Sequence, residues 1–202
     1  MYMCSKQEQQ LKIFYLFLVA DGRRTDEEIG KMNMIYEKMK IDKEDREKIE
    51  KFCDDALYSD ESSDNSAQII QIIKSILGNN LDHQGIGGIP FAFRLGTDLN
   101  HDNSAQVSTV WNLINLGYSD KDYSTSENKI VKFLSDFWDV DETVICEFKD
   151  SAETLVSLYK QEEWIKSTKK GQETIDKYMQ TYENDIKRIS DNIEITIKES
   201  KI

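Results

Sequence analysis

The sequence predicts an all-α protein, a helical bundle of two related halves followed by a C-terminal helical extension. Three observations carry that expectation. A single proline stands among 202 residues. Apolar side chains return at steps of three and four residues, the spacing of one helix face. A set of acidic and apolar positions recurs at an offset of 99 residues, as in a doubled unit. The bundle is assigned to residues 1–160, with halves at about 5–78 and 104–160 joined by a Gly-rich loop over 79–103. The extension is assigned to 161–202.

The first helix is expected over Glu8–Val19, where Leu11, Phe14, Tyr15, Leu16, Phe17 and Leu18 make it apolar almost all round and therefore central. Asp21-Gly22 stops it. Thr25-Asp26-Glu27-Glu28 reads as a capping box, a hydroxyl and a carboxylate each satisfying the other's backbone amide, and opens a helix carrying Ile29, Met32, Ile35, Tyr36 and Met39. Asp42 caps a third helix through Ile49, Phe52 and Leu57, and Ser66 a fourth through Ile69, Ile73 and Ile76 that ends at Gly78. From Asn79 to Asn103 the periodicity lapses among Gly85, Gly87, Gly88, Pro90 and Gly96. Helix returns at Ser104 with Val107, Val110, Trp111 and Ile114, and Asn103-Ser104-Ala105-Gln106 repeats Asn65-Ser66-Ala67-Gln68. After Ala152 the helix continues to about Lys170, breaks near Gly171 and resumes with Ile175, Tyr178, Tyr182, Ile186, Ile189, Ile193 and Ile197. That stripe approaches a heptad seam, to be buried along the bundle or offered to a second chain as a homo-oligomer contact.

The repeat is functional as well as apolar. Sliding the chain by 99 places Asp21 on Asp120, Thr25 on Ser124, Glu28 on Glu127 and Asp42 on Asp141, while Phe14, Tyr15, Phe17, Met32 and Ile49 fall on Leu113, Ile114, Leu116, Val131 and Phe148. Each half then reads as apolar helix, Asp-containing loop, capping box, amphipathic helix, Ile/Val-Asp turn and another helix.

Composition narrows the partners. The chain carries 38 acidic and 26 basic side chains, a net charge of −12, and its arginines are Arg23, Arg24, Arg46, Arg94 and Arg188. Nucleic-acid binders gather cations to displace phosphate counterions, so nucleic acid is set aside. No apolar run approaches the roughly 18 residues of a membrane span, so no membrane insertion and a cytoplasmic location are expected. Cys4, Cys53 and Cys146 form no C-x-x-C pair and read as small hydrophobes. His83 and His101 share a loop without metal-ligand spacing, and Gly85-Ile86-Gly87-Gly88 lacks the residues of a phosphate cradle.

The segment Val19-Ala20-Asp21-Gly22-Arg23-Arg24-Thr25-Asp26-Glu27-Glu28, between an apolar and an amphipathic helix that turns at Lys40-Ile41-Asp42, resembles the signature of the TerB family of tellurite-resistance domains. The resemblance covers roughly 7–158. It implies duplicated helical halves, a non-enzymatic role in bacterial stress or defence, a protein partner, and a divalent cation held by carboxylates near the two loops. Carried onto this chain, those carboxylates are Asp21 and Glu28 in the first half and Asp120 and Glu127 in the second.

The residues themselves leave two readings of the second loop. Asp120, Asp122 and Glu127 supply oxygen ligands for Ca²⁺ or Mg²⁺, although Thr125 and Val131 stand where an EF-hand needs Gly and Glu. Alternatively, Asp120 and Glu127 only end one helix and cap the next. Likewise Asp54, Asp55, Asp60 and Glu61 form either a solvated loop or a docking edge for a basic partner. Two rival functions complete the expectations: a self-associating helical protein without a metal site, and a metal-dependent hydrolase.

Overall fold

The most apolar helix of the sequence takes the middle of the bundle. The computed structural model describes residues 5–22, 25–57, 65–78, 99–119, 123–168 and 171–200. Among these, α1 (Ser5–Leu18), α2 (Asp26–Lys38), α3 (Lys43–Leu57) and α4 (Asn65–Ile76) precede a 3-10 turn at Leu99–His101. Then follow α5 (Asn103–Gly117), α6 (Thr125–Phe137), α7 (Glu142–Ser167) and α8 (Gln172–Glu199), and no strand occurs among the described residues. Leu11, Ile13, Phe14, Leu16 and Phe17 of α1 are all buried, because α2, α3, α4 and α5 pack around it. Burying each such side chain contributes about 1.5–3 kcal/mol before the entropy of ordering is counted.

α5 is the second central helix, with Val110, Leu113 and Ile114 buried and α2, α6, α7 and α8 around it. The two central helices meet at equivalent residues: Gln10 Nε2 donates to Thr109 Oγ1 at 2.9 Å, a pair 99 apart in sequence.

Local structure repeats at that same offset. α2 and α6 begin at Asp26 and Thr125 and end at Lys38 and Phe137, and α3 and α7 begin at Lys43 and Glu142. Thr25 and Ser124 each close a capping box in extended backbone. Lys40 and Asp139, at φ 55° and 53°, are left-handed residues that turn the chain after α2 and α6. The amides of Ile41 and Val140 then reach back to Tyr36 O at 3.0 Å and Ser135 O at 2.9 Å. Asp42 and Asp141 cap the next helices through Asp45 N–H at 2.9 Å and Thr143 N–H at 2.7 Å.

Three expectations change. Helix α4 already includes Asn65, so Ser66 lies inside its first turn, where it is buried, and not at the cap. Asp54 and Asp55 belong to the last turn of α3 and not to a loop. The end of the expected 79–103 loop is ordered by hydrogen bonds to the core: Leu99 N–H donates to Gln9 Oε1 at 3.0 Å, Asn100 Nδ2 to Leu77 O at 2.6 Å, and Trp138 Nε1 to Asn100 Oδ1 at 3.2 Å. Residues 79–98, with His83, Pro90 and the four loop glycines, lie outside the described residues. The expected break near Gly171 is found: α7 continues past residue 160 to Ser167, and α8 begins at Gln172 with Gly171 as its N-cap.

α7 and α8 pack antiparallel, tied toward the end of α7 by Tyr182 Oη donating to Glu162 Oε2 at 2.6 Å and toward its start by Thr196 Oγ1 donating to Glu147 Oε1 at 3.1 Å. Part of the isoleucine stripe packs within the chain. Tyr182 and Ile193 are buried, Ile175, Ile186, Ile189 and Ile197 are half-buried, and only Tyr178 of the seam is exposed. No helix among the described residues is long and apolar enough to cross a membrane.

Candidate functional site

The carboxylates that the sequence singles out sit where each central helix hands over to the next. α1 ends in a turn closed by Gly22 at φ 76°, a backbone conformation that glycine adopts without strain. Asp21 lies in that turn. Three residues into α2, the Glu28 carboxylate folds back on its own N-terminus: Oε2 accepts from Thr25 N–H at 2.8 Å and from Thr25 Oγ1 at 2.9 Å, while Thr25 Oγ1 accepts from Glu28 N–H at 3.2 Å. In α6, Glu127 Oε2 accepts from Ser124 N–H at 2.6 Å and Ser124 Oγ accepts from Glu127 N–H at 3.1 Å.

Both capping carboxylates are withdrawn from solvent, and Glu127 Oε1 lies against α5 at Gly117. Glu28 and Glu127 are each only 3% exposed. They also feel one another. Burial pushes the Glu127 carboxyl up to about 7, the hydrogen bonds from Ser124 pull it back, and the negative charges of Glu28 and Asp21 raise it further. Residues 21, 28 and 127, remote in sequence, thus share one electrostatic neighbourhood. Asp120 and Asp122 lie outside the described residues.

The pocket around Glu127 involves residues that the sequence pattern does not single out. Tyr123 stacks on Tyr118 with ring centroids 4.9 Å apart, and its hydroxyl is buried without a hydrogen-bond partner among the described residues. Burial first, then the charges of Glu127 and Tyr118, raise the Tyr123 phenol well above its ordinary range. The ring fits because residue 117 is glycine: a Cβ there would stand 2.5 Å from Tyr123 Cδ2 and 3.2 Å from Glu127 Oε1. The signal was present in the repeat, since Gly117 falls on Leu18, a large residue replaced by none at a helix end.

The acidic stretch fares differently. Asp54 is half-buried and accepts a hydrogen bond from Tyr15 Oη at 2.8 Å, so part of its role is to satisfy a core tyrosine. Asp55 is exposed, and Asp60 and Glu61 lie outside the described residues. His101 is exposed at the end of the 3-10 turn.

A proton or a cation relieves buried carboxylates of like charge, and the all-oxygen donor set suits Ca²⁺ or Mg²⁺ better than a soft metal. Among the described residues, however, no three His, Cys, Asp or Glu side chains are grouped to hold a metal ion. The described carboxylates are therefore a focus of negative potential and not a closed coordination cage. No family model, curated protein or solved structure matches the chain.

Proposed function

We propose that the chain is a non-enzymatic, TerB-like module of bacterial stress or defence systems that binds a partner protein and takes up a divalent cation where its two acidic inter-helix junctions meet. The supporting observation is the burial of Glu28 and Glu127, both 3% exposed, within reach of each other's charge and that of Asp21. Burying ionised carboxylates together is costly unless a proton or counter-ion compensates, and a chain selected for capping alone could keep both glutamates facing water. In this reading Asp21, Glu28 and Glu127 attract the ion electrostatically, with water filling much of its shell. Glu28 and Glu127 act as caps that also draw the ion, not as acid and base.

The test is thermal unfolding with Ca²⁺, Mg²⁺ or Zn²⁺ added singly, read by the fluorescence of Trp111 and Trp138. Ca²⁺ or Mg²⁺ at 100 times its Kd is expected to add about 2.7 kcal/mol of stability. The gain should vanish in the Glu28→Gln/Glu127→Gln variant. An unchanged melting temperature with every ion overturns the cation half of the reading.

A further inference from the structure

One contact departs from the repeat where the two acidic junctions come together. α2 packs on α1 and α5, and α6 packs on α4 and α5, so α5 is the support that Glu28 and Glu127 share. Lys31 of α2 reaches that support: its ammonium, one helical turn after Glu28, donates to Asn115 O at 2.6 Å and to Asn115 Oδ1 at 3.2 Å. At the offset of 99 the same two positions are Ile130 and Leu16, both apolar and fully buried. Only the first junction places a charge there.

Backbone chemistry explains the reach. The final carbonyls of a helix have no amide further along to bond them. In α5, Ile114 O takes Tyr118 N–H and Leu116 O takes Ser119 N–H, each at 3.0 Å, and the Asn115 carbonyl takes the Lys31 ammonium. A cation at this end also suits the helix dipole. Just beyond, Gly117 leaves the room that Glu127 Oε1 and the Tyr123 ring occupy. Lys31 from α2 and Glu127 from α6 therefore converge on one turn of α5, and Glu28 comes with Lys31 because residues three apart are neighbours on a helix surface. The ammonium has two opposed effects. As a positive charge it repels an incoming cation, and as a tether it keeps Glu28 within reach of Glu127.

We propose that Lys31 is a positioning residue of the cation site, holding α2 against the end of α5 so that Glu28 and Glu127 draw the same ion. This rests on reading those carboxylates as a cation site, and the test separates the two claims. The full chain, Lys31→Met and Lys31→Arg are titrated with CaCl₂ and with MgCl₂ by isothermal calorimetry, and circular dichroism checks their folding. Lys31 is half-buried, and Met keeps its apolar stem while removing the hydrogen bonds to Asn115. The Kd of Lys31→Met should rise about ten-fold, the low end for groups that orient metal ligands without touching the metal, even though a repelling charge has gone. Lys31→Arg still donates to the carbonyl and should bind nearly as the parent chain does. A loss of stability alone leaves the affinity of the folded chain unchanged, so the Kd is the deciding readout. Equal or tighter binding in Lys31→Met overturns the proposal and leaves the cation reading standing, since the ammonium would then act only as a charge. A Lys31→Arg chain that binds as weakly as Lys31→Met also overturns it. A parent chain that binds neither ion ends the cation reading and this proposal with it.

Discussion

Adding one methyl group at Gly117 tests the packing around Glu127 without touching any charge. In an open helix Gly→Ala stabilises by up to about 1 kcal/mol, through backbone entropy. Gly30 of α2 is such a site, with nothing within 4 Å of the place a Cβ would take, and Gly30→Ala should gain about 0.5–1 kcal/mol. At Gly117 the new Cβ would meet Tyr123 Cδ2 at 2.5 Å and Cε2 at 2.7 Å, so the ring must shift by roughly 1 Å to reach ordinary contact. That shift disturbs the Tyr118 stack, which is worth about 0.5–1.5 kcal/mol, and overpacking adds about 1–3 kcal/mol. Set against the helix gain, Gly117→Ala should lose about 1–2 kcal/mol, and the two alanine variants should move in opposite directions. Urea unfolding of both measures this, and a chain of this size shifts its Tm by about 2–4 °C per kcal/mol. Equal or greater stability in Gly117→Ala would refute the close packing of Tyr123 against α5.

Two further outcomes follow from burial. The Glu127 carboxyl holds its proton more tightly in the folded chain than in the unfolded one, so its favourable contribution is complete below the ordinary carboxylate pKa, declines as pH rises, and is gone above about 7. Glu127→Gln keeps a capping side chain but cannot titrate; relative to it, the natural chain should lose on the order of 3 kcal/mol or less between pH 4.5 and 7.5, and a pH-independent difference would contradict the burial. Ile193 is buried between α8 and the core, so Ile193→Ala should cost about 2–5 kcal/mol in urea unfolding; a cost below 0.5 kcal/mol, the size of a surface substitution, would show that the tail does not pack in cis.

The local grammar of this fold was legible. Thr25-x-x-Glu28 and Ser124-x-x-Glu127 become capping boxes, Gly22 and Gly78 take positive φ where their helices end, and the apolar density of Leu11–Leu18 places α1 at the centre. Periodicity could not say that both glutamates face inward together, because that depends on how α2 and α6 approach the α1/α5 crossing, a relation between elements and not within them. The Tyr123 pocket left a single trace in the repeat, the glycine at 117 opposite Leu18, because its ring is accommodated by a missing side chain on another helix. Charge density along the chain does not reveal that Asp54 accepts a hydrogen bond from Tyr15. The stripe on α8 allowed either cis packing or self-association by spacing alone, and α7 supplies the surface for the cis packing seen at Tyr182 and Ile193.

Two buried glutamates from separate loop–helix junctions press on one another electrostatically, and the functional reading depends on that coupling. Carbon-13 NMR of the glutamate side-chain carboxyls, followed through a pH titration, measures it directly. Glu127 should titrate near 7 and move toward the ordinary carboxylate range in Glu28→Gln. A Glu127 that titrates at the ordinary value, or that ignores the loss of the Glu28 charge, would contradict the coupling.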